Sequence, residues 1–261
     1  MKIHPTAIIH PKAKIADDVE IGPFCTIGEN VEIGSGTRLM SSVVIEGWTT
    51  LGNDNVLYPG VVIGVPPQDF GYHGERAFVK IGSRNEFREY VTIHRAATPE
   101  GVTTVGDENL LMGYVHVAHN CTVGSQVTMA NYAGMAGHSV IESQAVLGGL
   151  VGIHQFARIG RLCMVGGLAK VVKDLPPFSV VDGNPARVFG TNYRGLRRRG
   201  IDAPTRQAIK QALGILLSPD YTVSEAVEAI REQIPTSPEI EHFVDFLTHP
   251  SRMGVLRRPC G

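Results

Sequence analysis

Five histidines, His94, His116, His119, His138 and His154, cluster between residues 94 and 154 of a 261-residue chain. A neutral imidazole with an unperturbed pKa of about 6.5 is suited to take a proton from an alcohol near neutral pH. Histidines can also ligate a metal ion, and a single one in a turn is as readily a solvated residue. Spacing narrows the choice. His119, Gly137 and Gln155 stand eighteen residues apart, with His138 and His154 as immediate neighbours. If residues at that interval stack, they form one polar line rising about 4.8 Å per step. A glycine in the next coil beside His119 would leave both room and a free backbone N–H.

The elements that must position this line are written in a second period. Isoleucine, leucine or valine falls on residue 3 and on nearly every sixth residue after it, from Ile9 and Ile15 through Ile63. The same frame resumes at Ile81 and continues to Val171, with Met129 and Met135 in the same column and only Asp69, Glu75 and Pro99 breaking it. Four residues after each apolar position stands a small or β-branched residue, such as Ala7, Val31, Cys121 or Ala157, which also faces inward. Directly after it come glycines, including Gly22, Gly52, Gly82 and Gly106, read as positions whose backbone conformation a Cβ would oppose. Turn formers follow, such as Pro5, Asp17, Asn53 and Ser125. A strand and a turn thus alternate every six residues. One such unit cannot bury its own apolar face, so the units stack into a solenoid with a continuous core. Three hexads per coil give the eighteen-residue interval.

The fold expected is mainly β, a parallel β-helix of hexapeptide repeats over residues 1–184 with irregular loops near 64–78 and 95–104. A small α-helical domain over 185–261 follows, because the period becomes helical beyond Pro176 and Pro177. Asp202 caps a helix through Leu217, Thr222 and Glu225 have capping-box spacing, and Ser237 before Pro238 starts another helix. Ile209, Leu213 and Leu216 mark one apolar face, and Phe243, Phe246 and Leu247 a second. These helices would cover the open end of the solenoid.

Net charge is −1, which argues against a nucleic-acid binder working through a global basic field. No apolar run is long enough to span a bilayer. The frame begins at Ile3, leaving no space for a signal peptide, so a cytoplasmic protein is expected. Cys25, Cys121 and Cys163 fall in the small inward column and read as core filler rather than disulfides or metal ligands; Cys260 carries no information. No cofactor and no metal is implied.

The segments Asn109 to Met112 and His116 to Gly124 resemble the active-site coil of the cytosolic UDP-N-acetylglucosamine acyltransferases of lipid A synthesis. So do Thr92 to Arg95, Ala136-Gly137-His138, His154-Gln155-Phe156, Val165-Gly166-Gly167 and the stretch Asn192 through Gly200. The resemblance covers nearly the whole chain. It implies a left-handed helix of coils and a homotrimer with active sites between subunits. It implies transfer of an (R)-3-hydroxyacyl chain from acyl carrier protein to the glucosamine 3-hydroxyl of UDP-N-acetylglucosamine. His119 would be the general base and the Gly137 N–H the oxyanion donor. Gln68, Asp69, His94, His116, His138, His154 and Gln155 match substrate-binding positions, and Gly167 bounds the acyl pocket. Asn192 and Arg198 match contacts from a neighbouring subunit to the nucleotide. Arg194, Arg197 and Arg199 complete a basic run suited to dock the acidic carrier protein, or to lie as a solvated face.

Three positions depart from the family pattern. Asn120 replaces an aspartate after the catalytic histidine, Gly71 a lysine beyond the loop aspartate, and Arg194 an acidic residue. They leave open an acceptor bearing a 3-amino group. Two rival functions also remain from the residues themselves: a metal-dependent hydratase using His94, His116 and His119, and a non-catalytic scaffold.

Overall fold

The stacking of coils follows from the hexad, and the register shows it directly. A computed structural model of the chain describes residues 2–257; Cys260 lies outside them. Short strands, mostly of two residues, form three sheets of eleven, nine and eight members. Each coil of the left-handed parallel β-helix crosses three faces in turn, as at Leu110–Leu111, His116–Val117 and Thr122–Val123. Corners at 112–114, 118–120 and 124–126 join them. Leu110 pairs with Thr128, His116 with Gly134 and Thr122 with Val140, so the repeat is eighteen residues on all three faces. Val115, Val117, Cys121, Val123, Val127 and Met129 are all buried, as the two inward columns require. Each such side chain contributes about 1.5–3 kcal/mol by leaving water.

Insertions lengthen the interval in two places, both at the second corner; in the last coil it shortens to sixteen, where Met164 pairs with Val180 and Ile159 bridges to Leu175. Val62 pairs with Thr92, thirty residues on, and Thr92 with His116, twenty-four on. Phe78 likewise pairs with Trp48 at thirty and with Val102 at twenty-four. Twelve extra residues are therefore inserted between Ile63 and Phe78, and six between Ile93 and Val102. Because both insertions are multiples of six, the apolar frame resumes unshifted. Both loops leave the solenoid immediately below the corner that carries His119.

The glycine column has a different cause from the one the sequence suggests. Gly82 does not have a positive φ; an added Cβ there would stand 2.7 Å from the Gly106 carbonyl oxygen of the next coil. Close approach between coils excludes the side chain. The left-handed backbone falls two residues later, on non-glycines: Tyr114, Asn120, Gln126, Tyr132, His138, Gln144, Leu150 and Phe156 all have φ between 55° and 68°. This conformation opposes a Cβ, and one residue per corner holds it because the stacked coils fix the turn.

The inward column also carries an exception. Asn55, Asn85 and Asn109 are buried and stacked. The Asn55 carboxamide oxygen accepts from the backbone N–H and Nδ2 of Asn85, each at 3.0 Å. Asn85 accepts from the same two groups of Asn109 at 2.9 Å, and Asn109 accepts from the Val127 N–H at 2.7 Å. The ladder thereby satisfies the buried backbone N–H groups of Asn85, Asn109 and Val127.

The last sheet strand, Arg187–Thr191, runs antiparallel to Ser179–Asp182. The β-structure therefore continues past residue 184, and the helical part begins at α1 (Tyr193–Arg198), followed by α2 (Ala203–Leu217), α3 (Val223–Gln233) and α4 (Pro238–Thr248). Asp202, Thr222 and Ser237 cap α2, α3 and α4 as their spacing predicts, and the Thr222–Glu225 capping box is formed. α4 lies against the final coils: Arg158 stacks on Phe246 at 4.4 Å and donates to its carbonyl.

Replacing Asn85 by leucine removes the acceptor for two Asn109 donors and the Nδ2 donor to Asn55, while the backbone donor of residue 85 stays. Each orphaned buried group costs about 1–3 kcal/mol, so Asn85→Leu should lower the stability measured by chemical denaturation by at least ~2 kcal/mol. An unchanged midpoint would show that the ladder contributes nothing.

Candidate active site

The second corner and the face before it enclose a cavity of about 730 Å³. Gln68, His94, His116, His119, Gly137, His154 and Gln155, all singled out in the sequence, line it. His119 stands in the turn column, which predicts exposure, yet it is only 8% exposed. It is buried because the imidazole fills the space above Gly137, where an added Cβ would collide with the ring. The loop over 64–77 brings Asp69 to it from the other side: the Asp69 carboxylate lies 3.6 Å from His119 Nε2.

The tautomer of His119 follows from its neighbour. Asn120 Oδ1 accepts from the Ala97 N–H at 2.9 Å, while its Nδ2 donates to Thr98 Oγ at 3.0 Å. Since a backbone N–H can only donate, the amide orientation is fixed, and Oδ1 faces His119 Nδ1 at 3.0 Å. Nδ1 therefore carries the proton. Nε2, on the cavity side with Asp69, holds the free lone pair and is the basic atom. The loop over 94–101 thus sets the chemistry of His119 through Asn120. Where the substitution of asparagine for aspartate removes a charge, the hydrogen bond survives. Gly71, the second departure, donates its backbone N–H to Asp69 at 2.8 Å and so fixes that carboxylate without a lysine.

At the third corner, the corresponding backbone N–H groups are occupied by side chains from the next coil, as when Asp107 donates to Ser125 and Ser125 to Ser143. The Gly137 N–H has no such partner among the described residues. A donor open to the cavity one coil above a base is the arrangement that stabilises an oxyanion.

The remaining histidines surround this pair. His116 shares a 2.8 Å hydrogen bond with Thr92 Oγ, and its ring meets His94 edge-on at 5.0 Å. His138 meets His119 edge-on at 5.3 Å and stacks on Phe156 at 4.9 Å. Burial, then the charges of His116 and His119, push His94 down to about 4. Burial and His119 lower His116, and burial, His119 and Arg252 lower His138. Burial thus favours the neutral forms of His94, His116 and His138. The cysteines take no part: Cys25, Cys121 and Cys163 are buried, and burial raises their thiols, that of Cys163 to about 12.

Other predicted positions lie elsewhere. Gly167 is at the first corner, across the face from His119, with the Gly149 carbonyl 3.3 Å from an added Cβ. Asn192 is the N-cap of α1; its Oδ1 accepts from the Gly195 N–H, and its Nδ2 donates to the Leu162 carbonyl. Arg194, Arg197 and Arg198 are exposed on α1, and Arg199 donates to Gln126 at 2.8 Å on the third corner. Within one chain the arginine run and the histidine cavity thus occupy different edges. Among the lining residues that escaped the sequence reading are Gly134, Gly152 and Lys170. Their signal was present in the outward column of the second face, which reads Thr92, His116, Gly134, Gly152, Lys170 in register.

The His94 shift has a consequence for stability. The fold protonates His94 near pH 4, whereas an unfolded histidine does so near 6.5. Between those values the unfolded chain binds more protons, so stability is intact above pH ~6.5 and falls as pH drops toward 4. Denaturation midpoints at pH 7, 5.5 and 4.5 should decline in that order, and His94→Gln should flatten the decline. A titration by NMR near 6.5 for His94 would refute this.

Comparison with known proteins agrees with the geometry. Residues 174–256 match the family model described as UDP-N-acetylglucosamine O-acyltransferase, domain 2, and residues 3–65 match that of the GMPPB C-terminal domain. An acyl-acyl-carrier-protein UDP-N-acetylglucosamine O-acyltransferase of Thermodesulfovibrio yellowstonii is 47% identical over 98% of this chain and 99% of its own. A protein of the same name from Syntrophobacter fumaroxidans is 44% identical over 98% of this chain and all of its own. The solved structure of LpxA from Acinetobacter baumannii superposes with a TM-score of 0.95 at 40% identity, covering 98% of this chain and 99% of that one. With a relative this similar along almost its entire length, the chain belongs to the UDP-N-acetylglucosamine O-acyltransferase family.

Proposed function

We propose that this O-acyltransferase, which catalyses the first step of lipid A biosynthesis, uses His119 Nε2 as its one general base and the Gly137 N–H as its oxyanion donor. The observation that carries the mechanism is the fixed tautomer of His119 beside an unpartnered N–H. The 3-hydroxyl of UDP-N-acetylglucosamine gives its proton to Nε2 as its oxygen attacks the carbonyl carbon of the (R)-3-hydroxyacyl thioester. The negative charge moves to the carbonyl oxygen, where Gly137 donates to it. Collapse of that intermediate breaks the C–S bond, and the imidazolium returns its proton to the thiolate of the carrier's arm. The new ester leaves with the sugar nucleotide. Asp69, anchored by Gly71, faces the imidazolium while it is charged.

Against the hydratase reading stand the near full-length relatives, which are named as acyltransferases; within one chain, no three His, Cys, Asp or Glu side chains converge among the described residues. Gln68, His94, His116, His138, His154 and Gln155 would hold the two substrates around the base, and Gly167 the far end of the acyl chain. Asn192 and Arg198 would reach the nucleotide across a subunit boundary in a homotrimer, and Arg194, Arg197 and Arg199 would receive the acidic carrier protein. In support of association, the first corner exposes a stacked ridge of Tyr90, Tyr114 and Tyr132, with ring centroids 5.0 and 4.8 Å apart, continued by Leu150 and Leu168. No helix is long and apolar enough to cross a membrane among the described residues, and the substrates are those of a cytoplasmic enzyme.

A mass-spectrometric transfer assay with UDP-N-acetylglucosamine, its 3-amino analogue and a ladder of (R)-3-hydroxyacyl carrier proteins tests the reading. Product should form with the hydroxyl sugar and fall at least ~10²-fold in His119→Ala, the scale of general-base catalysis. Undiminished transfer by a folded His119→Ala protein would remove the mechanism; product with the amino sugar alone would change the acceptor.

A further inference from the structure

The cavity has a second end that the mechanism leaves unused. From Gly137 it extends along the second face over Gly134 and Gly152, where an added Cβ would meet nothing within 4 Å. Side chains at the same positions of neighbouring coils are Thr92, His116 and Lys170. Two successive glycines thus floor an open trench, and Lys170 stands at its C-terminal end, lining the same cavity.

Two more cations frame that end. Lys173 is exposed between Val172, which lines the cavity, and Asp174. Arg252 comes from the segment after α4 and lies on the Phe156 ring at 4.3 Å, one residue from Gln155. This segment is held firmly: the Asp174 N–H donates to the Gly254 carbonyl at 3.0 Å, and the Leu256 N–H donates to Asp174 at 2.8 Å. Asp174 itself is buried and bonded to Arg158 at 2.7 Å, so its charge is already matched. Among the described residues no carboxylate lies within ion-pair distance of Lys170, Lys173 or Arg252.

We propose that Lys170, Lys173 and Arg252 form a phosphate-receiving site for the phosphodiester of the carrier's pantetheine arm, with the Gly134–Gly152 trench carrying that arm to Gly137. The inference rests on the acyl-transfer reading above. Length supports it. Two coils of rise, about 4.8 Å each, and three residues across the face separate Gly137 from the Lys170 position, a diagonal of roughly 14 Å. The arm from sulfur to phosphorus has about as many bonds as four peptide residues, which extend to ~14 Å. Its thin, unbranched stretch suits a floor without side chains, and a doubly amide-bearing chain ending in a phosphodiester suits a trench ending in cations. The arginine run on the third corner then remains for other anionic groups.

The test compares (R)-3-hydroxyacyl-phosphopantetheine with the same thioester lacking the phosphate. Wild type should prefer the phosphorylated donor by about tenfold in kcat/KM, the effect of one charge-assisted contact. Lys170→Ala and Arg252→Ala should each bring that ratio toward one, and Lys170→Arg should restore it. The KM for UDP-N-acetylglucosamine should not rise with the loss of the ratio. If the ratio is unchanged in both alanine variants, or if only the KM for the nucleotide sugar rises, the basic end serves no donor phosphate and the proposal falls. Failure of wild type to use any thioester would overturn the acyl-transfer reading and this inference together.

Discussion

Everything in this molecule depends on one coil lying directly over the last. Parallel strands two residues long have almost no stability of their own, and from Glu108 to Leu168 the turns between them hold a left-handed residue every six positions. What maintains both is the vertical ladder of backbone hydrogen bonds along all three faces, closed around an apolar core. The register is therefore strict, and insertions are admitted only at corners and in lengths that return the chain to the same frame. The protein admits two, of twelve and six residues, and puts both at one corner.

That placement creates the site. An unbroken second corner would expose His119 as an ordinary turn residue. With the two loops stacked beneath it, one brings Asp69 to Nε2, and the other brings Ala97 and Thr98 to hold Asn120. The coil above contributes the opposite feature, a missing side chain at Gly137 and a backbone N–H without a partner. His119 and the Gly137 N–H, the proposed base and oxyanion donor, are thus adjacent by virtue of the eighteen-residue repeat, while the tautomer of the imidazole is set by the departures from it.

The same distinction explains what could be read in advance. Hexad columns report directly on which way a side chain points, so the solenoid, its core cysteines and the stacking of His119 under Gly137 were legible from spacing. Helix caps at Asp202, Thr222 and Ser237 were legible because capping is local. Burial of His119 was not, because it depends on loops whose residues carry no period. The cause of the glycine column was misassigned for a related reason: a glycine needed for close approach looks in sequence like one needed for its dihedral angles. Helix α1 was hidden within an arginine run, and Asn192 read as a nucleotide contact implied by the family resemblance rather than as a helix cap. Gly134 and Gly152 were visible in register but silent, since an absent side chain gives no chemical signal until the cavity above it is seen.

The asparagine at 120 shows how far geometry can replace charge. An aspartate there would orient His119 and also offset the positive charge that develops on its ring. Asn120 keeps the first effect in full, because two loop contacts prevent its amide from turning over. In the proposed mechanism the second effect passes to Asp69, which lies on the other side of the ring, 3.6 Å from Nε2. Its side chain is 38% exposed in the free enzyme, so water screens the interaction until substrates fill the cavity. Charge assistance would then be weak while the cavity is open and strongest when both substrates exclude water, which favours proton transfer when the thioester is present to be attacked.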